Sequence, residues 1–449
     1  MSFVTRRKFL RMSRTLASLG LAGAVSRFGP INAWAQSPDY KALVCVFLFG
    51  GNDSWNMLVP VSQQYGRYSS IRGNVAIPRA QLLPMFTGSQ ELGLHPSLAP
   101  IHPLWQQGKM AAVSGVGMLV RPLTRDSYRN RTEPIPSSLF SHSDQILQWQ
   151  TAPPNALPGT GWGGRVADRI SPMNAPSNFP TGVSLNGSSA LLVGQTSQPA
   201  TISPGSNGVL DGTDSSTESQ ARNLAVQELV DLTSGAVMVQ AANSVMSEGL
   251  RIGQVIESAT GGDNQLQTVF PGSSLGRQLE QVARLIQVRG DLGMQKQIFF
   301  CGTGGFDTHS GLVGRQAGLL SGVGAALAAF NQSMLELGTD DQVTTFTESE
   351  FSRTFEPNGG AGTDHAWSST QLVMGAAVRG GQLYGRIPEF ILSGPDDADS
   401  RGRFIPTLGL DHYGATLSKW FGLSDSDIAA VFPNLANFAP STHDIGFMG

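Results

Sequence analysis

The sequence is short of cysteine, of charge and of long apolar runs. Two cysteines, Cys45 and Cys301, stand in 449 residues. With no Cys-x-x-Cys, a zinc ribbon, a dithiol redox pair and a c-type haem attachment are excluded. Each cysteine lies in an apolar run, LVCVFLF and QIFFCGT, that reads as a strand. Two buried free thiols are expected, since side chains on central strands seldom meet the geometry of a disulfide. Charged residues make up 14% and the net charge is -3, which leaves no broad basic face and argues against a nucleic-acid partner. No Gly-x-Gly-x-x-Gly opens a helix after the first strand, which weakens a dinucleotide-dependent oxidoreductase. Beyond the N-terminal segment no stretch reads as the roughly 20 apolar residues of a membrane span.

What the chain does have begins at its N-terminus. Arg6 and Arg7 are followed by Lys8, Phe9 and Leu10, with more positive charge at Arg11 and Arg14. A short apolar run, Leu16 to Val25, leads to Ala33-Trp34-Ala35. A charged region, a short apolar region and a small-residue cleavage site in that order predict a twin-arginine export signal over 1–35, cut after Ala35. The expected location is the periplasm, with the twin-arginine translocase as a partner in transit. That route carries folded proteins, many of which load a metal or cofactor first.

The remainder, 36–449, reads as a single α/β domain. Residues 42–49 and 110–116 are apolar on both parities, the mark of strands buried between two layers of helices. Further strands are expected at 297–301, 343–347, 371–378 and 381–384, and helices at 96–108, 276–290, 311–337 and 412–421. Residues 217–260 are helical in pattern, and 180–290 is expected to be a helical, loop-rich insertion or lid. The stretch 203–220 is the most disorder-like. The strand-helix alternation predicts a mostly parallel central sheet flanked by helices.

In such sheets ligands gather beyond the carboxyl ends of the strands, and the polar residues collect there. The first strand ends in Asn52-Asp53. QIFFC runs into Gly305-Phe306-Asp307-Thr308-His309, and VTTFT into Glu348-Ser349-Glu350-Phe351-Ser352-Arg353, with Gly362-Thr363-Asp364-His365 soon after. Two of only seven histidines fall in these clusters. Asp and neutral His are ligands for Zn²⁺ or Mn²⁺, and carboxylates also suit Mg²⁺ and Ca²⁺. Residues i and i+2 of an extended loop face one side, so Asp307 and His309 can meet one ion. Arg353 reads either as an ion-pair partner of Glu350 or Glu356 or as a clamp for phosphate or sulfate.

The strings FLFGGNDSWNMLVP (47–60), LHPSLAPIHPLWQQGKMAAVSGVG (94–117), GFDTHS (305–310), FTESEFSRT (346–354), GTDHAWSS (362–369) and LDHYGATLSKWFGL (410–423) resemble the exported family known as domain of unknown function 1501. That family in turn resembles a remote branch of the alkaline phosphatase and sulfatase superfamily. The resemblance implies an alkaline phosphatase-like fold with a metal site at the strand ends. Asp53 would occupy the place of the superfamily's first metal-binding aspartate, and Glu350 that of the aspartate in its Asp-His-Gly string, where Phe351 replaces the histidine. His365 would be the last histidine of the site, and His412 a helix-start residue outside it. A nucleophile is expected at a helix start after the first crossover. Ser141, in FSHSDQ, lies in that part of the chain, and His142 and Asp144 either assist it or are ordinary first-turn residues. No Cys-x-Pro-x-Arg is present, which disfavours a formylglycine sulfatase.

Together these readings predict a periplasmic hydrolase of phosphate or sulfate esters, on a small-molecule or polymer substrate. Asp53, Asp307, His309, Glu350 and His365 would hold one or two divalent cations, with Asp364 as a ligand or behind one. The attacking group would be Ser141 or a water, and Arg353 would steady the transferred anion. The alternative is a non-catalytic, metal-stabilised scaffold or surface-polymer-binding protein on the same fold.

Overall fold

The computed structural model describes residues 40–62, 64–88, 90–152, 159–204, 216–231, 236–260 and 266–449. The predicted export signal lies outside the described residues, as does 205–215 of the disorder-like stretch. In chain order the strands are β1 (Lys41–Leu48), β2 (Leu58–Pro60), β3 (Leu83–Thr87), β4 (Gln90–Leu94), β5 (Met110–Gly117) and β6 (Gly182–Ser184). They continue with β7 (Ala200–Thr201), β8 (Lys296–Thr303), β9 (Val343–Glu348), β10 (Ser369–Met374), β11 (Leu383–Gly385) and β12 (Leu408–Gly409). One sheet runs β11-β5-β10-β9-β1-β8-β6-β7, with β12 beside β5. β10 is antiparallel to both of its neighbours and the other pairings are parallel, so the sheet is mixed and mostly parallel, as expected.

β1 shows why the sheet is buried on both faces. Ala42, Val44, Val46 and Leu48 join one core with residues of helices Ser274–Gln287 and Leu312–Glu336. Leu43, Cys45 and Phe47 join the other with residues of helices Trp162–Ile170 and Leu410–Phe421. Both parities of the strand are apolar because each faces its own layer of helices. Cys45 and Cys301 are buried free thiols.

Two parts of the sequence reading change. The antiparallel sheet β2-β4-β3 was not expected, and neither were β6 and β7, which are too short to print a period-two pattern. Of 180–290, β6 and β7 extend the main sheet beyond β8, and helix Ser274–Gln287 buries Leu279, Val282 and Ile286 in the core. The helices Thr217–Asp231 and Val237–Thr260 are the other described α-helices of that stretch, which also holds the short 3-10 turn Ala190–Leu192. Helix Leu312–Glu336 is also long and apolar enough by composition to cross a membrane, contrary to expectation. It buries Leu320, Val323, Leu327 and Phe330 in the core.

β8, β1 and β9 are adjacent and parallel, so their carboxyl ends open side by side. The loops touch closely: a Cβ at Gly50, whose φ is +112, would lie 2.3 Å from the Asp307 nitrogen. Only glycine fits there.

Just below this edge, Glu348 is fully buried on β9. Its Oε2 accepts a weak hydrogen bond from Cys45 Sγ at 3.7 Å, and its Oε1 has no partner. Burial pushes its carboxyl well above the usual range. A carboxyl that stays protonated when folded but ionises above about pH 4.3 when unfolded loses stability as pH rises, by about 1.4 kcal/mol per pH unit until the folded pKa is reached. The advantage of Glu348→Gln over wild type should therefore grow between about pH 5 and about pH 7.5 in urea unfolding. An advantage that is the same at both values would contradict the assignment.

Candidate functional site

Three imidazoles and one carboxylate meet beyond the ends of β1, β8 and β9. Asp307 and His309 come from the loop after β8. There Thr308 N–H donates to Phe306 O and His309 N–H to Asp307 O, so the backbone turns tightly instead of running extended. The two side chains still converge, with His309 Nε2 2.9 Å from Asp307 Oδ1. His365 is set by the chain beyond β9, where it bridges antiparallel to Arg353. Gly362 allows that segment to reach the His309 loop, since a Cβ there would come within 2.1 Å of the His309 carbonyl carbon. The third imidazole belongs to His142, the first residue of helix His142–Thr151.

The Nε2 atoms share one target. Asp307 Oδ1 lies 2.9 Å from His309 Nε2, 3.3 Å from His365 Nε2 and 3.5 Å from His142 Nε2. The Nε2 atoms of His309 and His365 are 3.1 Å apart. Each ring is held from behind through Nδ1. His142 Nδ1 donates to Glu350 Oε1 at 2.8 Å, His309 Nδ1 to Asp364 Oδ1 at 3.0 Å, and His365 Nδ1 to the Phe140 carbonyl at 2.7 Å. A carboxylate or carbonyl can only accept, so Nδ1 carries a proton, and a ring in its neutral form presents its lone pair at Nε2. His142 Nε2 is buried and has no hydrogen-bond partner. Lone pairs facing a carboxylate at these distances repel one another unless a cation or protons lie among them.

The residues fit a divalent metal ion. Ligating histidines characteristically donate their other ring N–H to a carboxylate or backbone carbonyl, and all three rings do so here. Donors about 2.0–2.1 Å from a shared Zn²⁺ stand roughly 3.3 Å apart; Asp307 Oδ1 lies 2.9–3.5 Å from the three Nε2 atoms, and His309 Nε2 lies 3.1 Å from His365 Nε2. Ligand atoms of His142, Asp307 and His365 all fall within 4.8 Å of one another, and His309, on the far side of Asp307 and His365, falls outside that group.

The surroundings tune the groups. Burial would raise the Asp307 carboxyl, but the Arg353 guanidinium and the His309 and His142 rings outweigh it and hold it below the usual range. Asp364 is pushed down to about 2: burial opposes this, and hydrogen bonds from Asn358, Arg401 and His309 prevail. The Glu350 hydrogen bond raises His142, whereas burial lowers His365. The Phe351 ring stacks on His365 at 4.8 Å and lies 4.9 Å from His142.

Three predicted roles change, those of Asp53, Glu350 and Arg353. Asp53 does not join the cluster: it is fully buried, pairs with Arg72 at 2.5 Å and accepts from the Trp55 and Asn56 N–H groups. Glu350 stands behind an imidazole instead of facing an ion; Asp364 takes the second of its two expected places, behind His309, and also accepts from Arg401 at 2.7 Å. Arg353 is no anion clamp. Its side chain is 0% exposed and its hydrogen bonds go to Asp307 Oδ1, the Gly50 carbonyl and the Thr363 carbonyl. Asp307, His309 and His365 do come together. Ser141 precedes His142, and its Oγ donates to Asp144 Oδ2 at 2.5 Å without capping the helix. His412 sits at the start of its helix, with Nδ1 accepting from Gly409 N–H at 3.1 Å. His142 was not assigned a ligand role in the sequence. Its one signal was a histidine among the strongly polar residues of FSHSDQ.

The fold and cluster define an α/β protein whose mostly parallel sheet carries a convergent imidazole-carboxylate set at its carboxyl edge. Residues 40–424 match the family described as Protein of unknown function (DUF1501), and the chain belongs to that family. No curated protein matches the sequence. Similar solved structures include Ps i-CgsB, at 9% identity over 91% of this chain and 77% of that one, with a TM-score of 0.36. Others are the lipoteichoic acid synthase LtaP from Listeria monocytogenes (9%, 88% and 76%, 0.33) and the PsFucS1 sulfatase from Pseudoalteromonas sp. (10%, 87% and 69%, 0.33).

The two buried carboxylates separate by experiment. Glu350→Gln should weaken zinc binding by roughly 10- to 100-fold, measured by chelator competition. Asp53→Ala should leave zinc affinity in place but cost about 3–5 kcal/mol in urea unfolding, because Arg72 is left buried without its partner. A loss of zinc affinity in Asp53→Ala at unchanged stability would restore Asp53 as a ligand.

Proposed function

We propose that this protein is an exported, metal-dependent hydrolase of phosphate or sulfate esters. The observation that carries the proposal is the buried, unpartnered Nε2 of His142, aimed with two other Nε2 atoms at Asp307 Oδ1. His142, His365 and Asp307 would hold the ion, joined by His309 once its ring shifts inward, and this nitrogen-rich set suits zinc better than magnesium or calcium. When bound, a divalent ion supplies Lewis-acid polarisation of an ester oxygen. Glu350, Asp364 and the Phe140 carbonyl keep the three rings in one tautomer and orientation. Arg353 fixes Asp307 from the buried side.

Ser141 is the proposed nucleophile. Its O–H already donates to Asp144 Oδ2. As the bond from Oγ to phosphorus or sulfur forms, the proton passes to Asp144, and the bond to the leaving oxygen breaks with its electron pair, that oxygen taking a proton from solvent. Water then attacks the phosphorus or sulfur of the seryl ester, the bond to Oγ breaks, Oγ regains its proton from Asp144, and phosphate or sulfate is released. The burial of Arg353 favours a second reading, a metal-stabilised scaffold without turnover, because that guanidinium is committed to Asp307 and two carbonyls.

The readings part on 4-nitrophenyl phosphate and 4-nitrophenyl sulfate, offered to zinc-loaded protein. Turnover of one of them is expected, abolished by chelation and by His142→Ala. Asp144→Asn should lower it about 10²- to 10⁴-fold, the range for a positioned proton acceptor. Bound zinc with no turnover of either ester would leave the scaffold reading standing. Full activity in Ser141→Ala would assign the attack to water.

Export is proposed from Arg6, Arg7 and the apolar run that follows. Replacing both arginines by lysine should leave an uncut precursor in the cytoplasm, read by fractionation and immunoblot. Normal maturation of that variant would refute the twin-arginine route.

A further inference from the structure

Next to the cluster lies a groove of about 470 Å³ lined by Tyr128, Arg129, Arg131, Ile135, Leu139 and Phe140. Phe140 joins the two places, since its ring lines the groove and its carbonyl holds His365 Nδ1 at 2.7 Å. Ser141 and His142 are the next two residues. The groove is much larger than a phosphate or sulfate group requires and falls in the usual range for small-molecule sites, about 300–1,000 Å³.

The charge pattern around it is uneven. Neighbouring arginines are engaged: Arg121 with Glu133, Arg125 with the Asp397 and Asp399 carbonyls, Arg401 with Asp364, and Arg403 with Asp399. Arg403 also lies over the Phe140 ring at 4.6 Å. Arg129 and Arg131 are exposed, and neither pairs with a carboxylate among the described residues. Arg131 keeps its large side chain at φ +52, in the left-handed region that favours glycine. Its backbone is fixed there by N–H donation to the Ser127 and Tyr128 carbonyls. The groove thus combines two uncommitted guanidinium groups with two aromatic and two aliphatic side chains.

Resting on the hydrolase reading, we propose that this groove binds the organic part of the ester, and that this part carries a ring and a second negative charge. The ring would lie against Tyr128, Ile135, Leu139 and Phe140. The second anion, a carboxylate, sulfate or phosphate, would be gripped by Arg129 and Arg131, whose planar forks suit such oxyanions. The substrate class is then a phosphate or sulfate ester of an acidic ring compound, an acidic sugar unit included. These two arginines supply the anion recognition that Arg353, buried behind Asp307, does not.

Phenylphosphonate and 4-carboxyphenylphosphonate test this, because neither can be hydrolysed. Their binding to zinc-loaded protein is measured by calorimetry, for wild type and for Arg129→Ala/Arg131→Gly. The glycine suits the positive φ, and the melting temperature of the variant checks its fold. Wild type should bind the carboxylated compound at least tenfold more tightly, and in the variant the ratio should fall to near one. Equal binding by wild type, no binding of either compound, or a ratio retained in the variant would overturn the proposal. A second variant, Arg129→Glu, should reverse the preference if the charge itself is what counts, and an unchanged preference there would overturn it too. Failure of the hydrolase reading shows separately, in zinc content and nitrophenyl ester turnover, while the phosphonate ratio still reports on the groove.

Discussion

The guanidinium of Arg353 is the tie on which the site depends. It donates to the Gly50 carbonyl beyond β1, to Asp307 beyond β8 and to the Thr363 carbonyl two residues before His365. One buried cation thus ties three loops together, alongside the backbone bonds from Phe306 N–H to the Phe49 carbonyl and from Thr363 N–H to the Thr308 carbonyl. Burying a charge is costly unless it is paired and hydrogen-bonded, and Asp307 supplies the pairing. The same carboxylate oxygen is the point on which the three Nε2 atoms converge. Loop anchoring and site formation are therefore a single interaction: to neutralise its arginine the protein must hold Asp307 where the histidines find it.

Around that tie, the outer groups decide what the rings can do. An imidazole with a free Nδ1 is a mixture of tautomers and orientations. Here a carboxylate or carbonyl fixes each one, and Phe351 restrains two of the rings by contact. The sequence string with Phe351 where the resembled superfamily has histidine suggested a missing ligand. The structure supplies an imidazole from another direction, the start of helix His142–Thr151, and uses the phenyl ring as a wall.

How much was legible follows from range. The strands β1, β5, β8 and β9 print long apolar runs, and their parallel arrangement at once places Asn52-Asp53, Asp307-Thr308-His309 and Ser349–Arg353 at one edge. Asp307 and His309 were legible as a pair because their spacing is local. Asp53 and Arg353 were misassigned because their partners are remote: Arg72 is 19 residues from Asp53, and Asp307 is 46 residues before Arg353. Nothing in a linear pattern distinguishes a carboxylate that faces an open site from one that neutralises a buried arginine. β6 and β7 were missed for a different reason, since three and two residues carry no period.

The proposed ligand set has one further property. Its members stand at 142, 307, 309 and 365, and only the middle pair are near neighbours in the chain. An unfolded polypeptide therefore offers an ion a local pair at best, and the full set exists only once the sheet has brought its loops together. Any ion held there binds the native state in preference to the unfolded one and stabilises it by mass action. The identity of the ion is then decided by the compartment in which folding is completed. Were the chain exported already folded, as proposed, that compartment would be the cytoplasm, with its own balance of available metals.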